Sequence, residues 1–346
     1  MTILHIDKSC WTEGLDRARQ AYALVGPAPD GEVPGFRELK ESEYPIMDGS
    51  QTRLSPKGVV FPPSQVMMTC SFKEGDPKKD IYEAVKIDTR PRAVVGIRPN
   101  DAKALQLVRL NFDTEEYKDP YVVEAFEACT WIGLAVQAPS ATDFSTSCGT
   151  GPFDESCLDV MLVDNGEHYL ARVLTDKGAA WAEAAGFKTP AEEGADARIA
   201  DLKASAEKAI SSSMAWNRIQ EGTVLDLYEA DHWNKTTFAC LNCGTCTYAC
   251  PTCWCFDLQD EVHGETGYRI RNWDSCMTSL FTRHGSGHNP RETPMQRTRQ
   301  RFMHKLKYFP DKYGQGIMCV GCGRCIEQCP AGIDIRDVCN TMNSQA

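Results

Sequence analysis

The chain has 346 residues, 42% of them hydrophobic, and a formal net charge of −11 at pH 7. This length suits about two or three domains, and the acidic balance argues against a general nucleic-acid binder. No stretch approaches the ~20 apolar residues of a membrane helix, and the first residues show no signal-peptide pattern. The 17 cysteines then indicate a reducing compartment, where they serve as metal ligands rather than disulfides. We therefore predict a cytoplasmic protein without direct membrane insertion.

Residues 1–190 are predicted to form an α/β domain with a loop-rich N-terminal segment. Prolines and glycines interrupt regular structure up to about residue 80, apart from a short amphipathic helix near residues 12–24. The apolar run at residues 93–97 is typical of a strand buried on both faces, and Pro99 then begins a helix. Further predicted elements are a helix at 121–128, a strand at 131–136, a hairpin around Asn165-Gly166 and a helix capped by Thr175 or Asp176.

The rest of the chain is predicted to be mainly helical. Residues 191–231 have helical spacing of apolar side chains and are interpreted as a helical connector. Residues 232–346 are predicted to form a helical ferredoxin-like domain, in which helices fill the long interval 251–318 between two cysteine runs. The fold class is therefore predicted to be α+β, with an N-terminal α/β domain followed by the helical one.

The two cysteine runs are the most informative feature. They are Cys240, Cys243, Cys246 and Cys250, and Cys319, Cys322, Cys325 and Cys329, each ending in Cys-Pro. The spacing is that of the bacterial ferredoxin motif, whose first three thiolates hold one [4Fe–4S] cluster and whose fourth binds the cluster of the other run. Zinc sites usually use two separated Cys or His pairs. The runs therefore predict two [4Fe–4S] clusters and a role in electron transfer.

Four residues within the runs are predicted to act on the clusters. Gly244, Gly321 and Gly323 would let backbone N–H groups approach the sulfides, because a side chain there would stand in the way. Arg324 would raise the potential of one cluster by adding positive charge beside it.

Three further features have two interpretations each. Cys253, Cys255 and Cys276 could ligate a third centre, but packing of buried thiols beside the first cluster is favoured. The loop beginning at Cys148-Gly149 lacks a nucleotide-binding fingerprint and is interpreted as a turn. A basic stretch could dock an acidic redox partner, or could be a solvated helix face or a compensation for anionic clusters. Its members are Arg291, Arg297, Arg299, Arg301, His304, Lys305 and Lys307.

Several motifs together resemble a known family. The segments are 240–256, 271–276, 301–306 and 319–325, with 96–101 and 147–152 upstream. They are similar to the iron–sulfur β subunits of soluble sulfhydrogenase-type NiFe hydrogenases and, equally, to the iron–sulfur electron-transfer subunits of anaerobic sulfite reductases. The likeness covers roughly residues 60–340.

The resemblance implies an electron relay without a substrate-converting site of its own. Electrons would pass between a flavin-containing, NAD(P)-binding subunit and a terminal hydrogenase, sulfite reductase or heterodisulfide-reductase-type subunit. Carried over by position, cluster 1 would take Cys240, Cys243, Cys246 and Cys329, and cluster 2 would take Cys319, Cys322, Cys325 and Cys250. The sequence departs from the family at Asn100, Asp143 and Ser145, where cysteines are expected.

Two other functions stay open at this point. A self-contained enzyme would bind a flavin in the α/β domain, although the chain has no dinucleotide fingerprint. A zinc-stapled interaction module would hold zinc and no sulfide in place of the clusters.

Overall fold

A computed structural model describes residues 2–31 and 33–345, and it shows a mixed α/β protein with two β-sheets. The strands are β1 Thr2–Asp7, β2 Ala23–Asp30, β3 Val33–Glu38, β4 Ser64–Ser71, β5 Tyr82–Ala84, β6 Arg92–Ile97, β7 Cys129–Leu134, β8 Val160–Asp164, β9 His168–Val173, β10 Phe256–His263 and β11 Thr266–Trp273. The helices of the first half are α1 Trp11–Ala18, α2 Pro99–Arg109, α3 Pro120–Glu127 and α4 Asp176–Ala185. Those of the second half are α5 Ala195–Ala209, α6 Asn217–Glu221, α7 Val224–Glu229, α8 His232–Thr237, α9 Thr245–Tyr248, α10 Pro294–Met303, α11 Phe309–Tyr313, α12 Arg324–Glu327 and α13 Ile335–Gln345.

The larger sheet has the order β1-β9-β8-β7-β6-β2-β3. Its central strands β2, β6, β7 and β8 run parallel, whereas β1, β9 and β3 are antiparallel to their neighbours. The predicted strands at 93–97 and 131–136 are β6 and β7, and the hairpin around Asn165-Gly166 joins β8 to β9. Thr175 caps α4, as predicted, because its side chain accepts a hydrogen bond from the Gly178 backbone nitrogen. The α/β pattern of this region is thus confirmed.

The prediction of a loop-rich N-terminal segment is wrong for residues 2–38, which form β1, α1, β2 and β3 within the described ranges. The segment misleads because Pro27 and Pro29 lie inside a strand. They are tolerated because β2 pairs with β6 only over residues 23–25, so the prolines face a single neighbour, the edge strand β3. The predicted helix at 12–24 ends earlier, at Ala18, and the chain then turns into β2.

The two faces of the larger sheet are covered by different parts of the chain. One face packs against α1 and α4, with Trp11, Leu15, Trp181 and Phe187 in its core. The core on the other face includes residues of α2, α3 and α5 together with Phe309, Met318, Val320 and Cys322 from the C-terminal part. The second cysteine run is therefore packed directly onto the sheet.

The smaller sheet is antiparallel, with the order β10-β11-β4-β5. Its hairpin β10–β11 lies between the two cysteine runs, so the prediction that helices fill this interval is wrong at residues 256–273. The sequence signal is a two-residue turn at Gly264-Glu265, where Gly264 has φ +62°. Pairing of β11 with β4 ties the interval to the N-terminal half of the chain.

Short helices and loops make up most of the remaining C-terminal part. A third core joins Trp233, Phe302, Leu306 and Met342, which come from α8, α10, the π-helical turn that follows α10, and α13. Among the described residues, no helix has both the length and the apolar character needed to cross a bilayer. The boundaries of the predicted segments 1–190, 191–231 and 232–346 stay a prediction.

Candidate iron–sulfur site

Each cysteine run folds into the same local structure. In the first run Gly244 has φ +79° and begins the one-turn helix α9, and in the second Gly323 has φ +77° and begins the one-turn helix α12. Only glycine adopts this backbone conformation without steric cost. The helices α9 and α12 contact each other, so the two runs lie side by side.

The run cysteines line two neighbouring cavities. The first, called cavity 1, is lined by Cys240, Cys243, Cys246 and Cys329, and also by Cys325. The second, called cavity 2, is lined by Cys319, Cys322, Cys325 and Cys250. The last cysteine of each run thus lies with the first three of the other run.

The thiols of the two cavities differ in their environment. Cys243 is exposed, and a hydrogen bond with Thr245 lowers its pKa. Burial instead raises the pKa of Cys322, and raises that of Cys325 to about 12. Because thiolates are the form that binds iron, the buried set requires compensating positive charge.

Two buried lysines supply positive charge beside the runs. Lys305 Nζ lies 3.4 Å from Cys250 Sγ and donates to Thr252 Oγ1 at 2.7 Å. Although burial opposes the charged form, Cys250 and Cys253 raise the pKa of Lys305. Lys57 Nζ donates to the backbone oxygens of Thr247 and Cys253 at 3.2 and 3.0 Å, while burial lowers its pKa. Lys57 was not predicted from the sequence, because no motif lies beside it in the chain.

Arg301 lies at the centre of the site. Its side chain lines cavities 1 and 2 and also a third cavity described below. The residue is 4% exposed, yet its Nε and Nη2 atoms have no hydrogen-bond partner among the described residues. A buried guanidinium with free donors needs an acceptor or an anion beside it.

The basic stretch is neither a docking surface nor a solvated helix face. Arg297, Arg299, Arg301, Lys305 and Lys307 are all buried. Arg297 donates to Asn242 Oδ1 and to backbone oxygens of the preceding loop, and Arg299 stacks on the Tyr228 ring. The docking interpretation is therefore wrong, and the buried side chains favour compensation of negative charge within the protein.

The glycines of the runs have a structural role that differs from the predicted one. A Cβ on Gly321 would lie 2.4 Å from the Ser145 backbone nitrogen, and one on Gly323 would lie 2.3 Å from Thr142 Oγ1. A Cβ on Gly244 would meet Ser275 Oγ at 3.2 Å. The space is thus occupied by neighbouring protein segments, and a role of these glycines toward sulfides stays a prediction.

Arg324 is held in a buried ion pair. Its two Nη atoms donate to the Asp101 carboxylate at 2.6 and 2.7 Å, and its Nε donates to the Thr52 backbone oxygen. Both partners of the ion pair are essentially inaccessible to solvent. The ion pair joins the second run to α2. Asp101 offsets much of the charge of Arg324, and an effect of Arg324 on a cluster potential stays a prediction.

The positions at which the resemblance predicts cysteines are buried: they are Asn100, Asp143 and Ser145. Asp143 accepts hydrogen bonds from the backbone nitrogen and hydroxyl of Ser145, and the adjoining Phe144 nitrogen donates to the Gly321 oxygen. Asn100 is buried, and its Oδ1 has no partner among the described residues. The loop at Gly149 is a turn, as interpreted, because Gly149 has φ +70° and ends a short 3₁₀ helix.

The third cavity contains three of the cysteines outside the runs. Cys253, Cys255 and Cys276 line it together with His304 and the cations Arg301 and Lys305. Contact with Cys276 lowers the pKa of Cys255 to about 7, and burial lowers the pKa of His304 to about 4. Among the described residues, neither this set nor the two runs closes around a single metal ion.

The eight run cysteines line cavities 1 and 2, and the comparisons with known proteins indicate an iron–sulfur protein. A family model described as a 4Fe–4S dicluster domain matches residues 239–333. The chain is also 27% identical over 340 residues to the sulfhydrogenase 2 subunit beta of Pyrococcus furiosus, covering 96% of each protein. No solved structure matches. The predicted resemblance is thereby confirmed: residues 239–333 match a 4Fe–4S dicluster domain, and the chain is similar over nearly its whole length to a sulfhydrogenase β subunit.

Proposed function

We propose that the chain is the iron–sulfur electron-transfer subunit of an oxidoreductase complex and that it binds two [4Fe–4S] clusters. The observation that carries this proposal is the pair of adjacent cavities. Each is lined by the first three cysteines of one run and the last cysteine of the other, and Cys325 lines both. This is the ligand exchange expected of two-cluster ferredoxins. When bound, the clusters supply one-electron carriers.

The ligand assignment follows from the cavities. Cys240, Cys243, Cys246 and Cys329 would hold cluster 1 in cavity 1, and Cys319, Cys322, Cys325 and Cys250 would hold cluster 2 in cavity 2. Thiolate is the usual ligand of iron–sulfur clusters. The two cavities share Cys325 and Arg301 in their linings, so the two carriers would be neighbours.

The buried cations support anionic occupants. Lys305 lies against Cys250 in cavity 2, and Arg301 presents unpaired donors to both cavities. Neither cavity is lined by a carboxylate among the described residues. Buried cations without an anionic partner are strongly unfavourable, whereas a cluster with four thiolates carries net negative charge.

The partners are inferred from the family. The relative's name as a subunit beta indicates a protein that works within a complex. We propose a flavin- and NAD(P)-binding subunit on one side and a hydrogenase, sulfite reductase or heterodisulfide-reductase-type subunit on the other. Exposed Cys243 and the exposed side chains of Phe238 and Leu241 mark the side of cluster 1 as a contact for one partner.

A self-contained flavin enzyme is less well supported by the fold. Parallel α/β sheets bind nucleotides at the carboxyl ends of their strands. Here the residues after β6, Arg98 to Asp101, lie against the second cysteine run through the ion pair of Asp101 with Arg324. The loop after β7 likewise contacts that run through the Phe144–Gly321 hydrogen bond. The customary crevice is thus taken up by the cluster-binding segment.

Paired cysteine substitutions test the ligand assignment. In the reconstituted full chain, C243S and C329S should alter the same cluster signal in electron paramagnetic resonance (EPR) spectra. C322S and C250S should alter the other signal, because each pair combines one cysteine from each run. If C243S and C250S instead affected one signal together, each run would hold its own cluster and the assignment would be wrong.

A further inference from the structure

We infer that Cys253, Cys255, Cys276 and His304 form a third site and that it holds an iron–sulfur cluster. The four residues come from three segments: the chain after the first run, the chain after β11, and the π-helical turn after α10. This third site goes beyond the two clusters proposed above and depends on different cysteines.

The hairpin brings the three thiols together. β10 and β11 pair up to Phe256 and Trp273, and the Asp274 nitrogen then donates to the Cys255 oxygen at 2.9 Å. This closure brings Cys276 to the cavity that Cys253 and Cys255 also line. The hairpin therefore leads the chain from Cys255 back to Cys276 at the third cavity, and this gives a reason for its position between the two cysteine runs.

The surroundings of the thiols are positively charged. Arg301 and Lys305 line the cavity, Lys57 donates to the Cys253 backbone oxygen, and no carboxylate among the described residues is in the lining. The Nε and Nη2 atoms of Arg301 have no partner in the described part of the chain, although the side chain is almost fully buried. Both Arg301 and Lys305 also border cavity 2, and on the side of the third cavity they would stabilise the thiolates of a bound cluster in the same way.

The position favours an iron–sulfur cluster over other thiol chemistry. The third cavity shares Thr252, Arg301 and Lys305 with cavity 2, so its occupant would adjoin cluster 2. His304 lines the cavity as a nitrogen donor beside the three thiols. Imidazole replaces thiolate in some natural clusters and raises their potential. We therefore assign His304 as the fourth ligand.

Iron and sulfide contents of the reconstituted full chain test the third site directly. Three clusters would give about twelve iron and about twelve sulfide per chain, and two would give about eight of each. The triple variant C253A/C255A/C276A should contain about four iron and four sulfide fewer than the wild type and keep the EPR signals of clusters 1 and 2. The matched control C10A/C70A/C157A removes three cysteines elsewhere and should keep the wild-type content.

A midpoint-potential titration tests His304 as the fourth ligand. H304C should retain the iron and lower one of three midpoint potentials in an EPR-monitored titration, because thiolate replaces imidazole. It should leave the other two potentials unchanged.

Three results would overturn the third site. They are about eight iron in the wild type, bound zinc without extra sulfide, and a Cys255–Cys276 disulfide. A chain that binds no iron at all would instead refute the proposed function.

Discussion

Replacing Asp101 with asparagine would leave Arg324 without its anionic partner inside the protein. The ion pair is bidentate, with distances of 2.6 and 2.7 Å and side chains that are 1% and 0% exposed. Arg98 is buried nearby. Burial and the charge of Arg324 lower the pKa of Arg98, whereas the carboxylate of Asp101 raises it. Asp101→Asn would therefore leave two buried guanidinium groups close together.

The expected loss in the free energy of unfolding is about 3–5 kcal/mol, the usual cost of removing one partner of a buried pair. This would be a large fraction of a typical stability of about 5–15 kcal/mol. Urea unfolding of the reconstituted chain, followed by tryptophan fluorescence under anaerobic conditions, measures it. The double variant D101L/R324M should recover much of the loss, because replacing both charges by apolar groups is often close to neutral.

A matched control uses an exposed pair. Asp260 and Arg269 are also bidentate, at 2.8 Å, but their side chains are 45% and 42% exposed. Asp260→Asn should cost less than about 1 kcal/mol. If Asp101→Asn cost no more than Asp260→Asn, the ion pair would not join the cluster segment to the sheet in the way described.

Three other changes give sharp expectations. Lys305→Met removes a buried positive charge whose hydrogen bond to a thiolate is worth about 1.5–3 kcal/mol. It should therefore lower one cluster potential by roughly 60–130 mV in an EPR-monitored titration. Lys312→Met, at an exposed position, should have little effect. An unchanged potential would show that Lys305 does not face a cluster. Gly321→Ala would place a Cβ 2.4 Å from the Ser145 backbone nitrogen at a residue with φ +66°, so the thermal unfolding midpoint of the variant should fall. Gly285→Ala should be tolerated, because nothing lies within 4 Å of the added Cβ. Equal midpoints for the two variants would contradict the close packing at Gly321. Phe238→Ser, at a side chain 91% exposed, should raise the KM for a partner subunit without changing iron content, and an unchanged KM would place the contact elsewhere.

Elements of secondary structure could be predicted from the sequence where their signals lie in a few adjacent residues. The buried strand β6, the helix beginning at Pro99 and the hairpin at Asn165-Gly166 are each specified by a few adjacent residues. The spacing of the cysteine runs predicted 4Fe–4S binding in the same way, and the match to a dicluster domain supports it. The family resemblance came from several short motifs, and the similarity to a sulfhydrogenase β subunit bears it out.

Long-range packing could not be read from the chain. Pro27 and Pro29 indicated a loop, because their place beside an edge strand depends on which strand pairs with β2. For the basic stretch that includes Arg301, a docking surface, a solvated helix face and compensation for anionic clusters all stayed open, since burial of a basic helix face depends on what covers it. Lys57 gave no signal at all, because it approaches the first run from a segment far away in the sequence.

Purification of the native complex through this chain tests the central claim most directly. Under anaerobic conditions, the chain should bring with it a flavin-containing, NAD(P)-binding subunit and a terminal catalytic subunit. Reduced nicotinamide cofactor should then bleach the iron–sulfur absorbance of this chain, and C322S should prevent electrons from reaching the terminal subunit while flavin reduction continues. A chain that purifies alone with its own flavin, or a C322S complex with undiminished electron throughput, would contradict the relay.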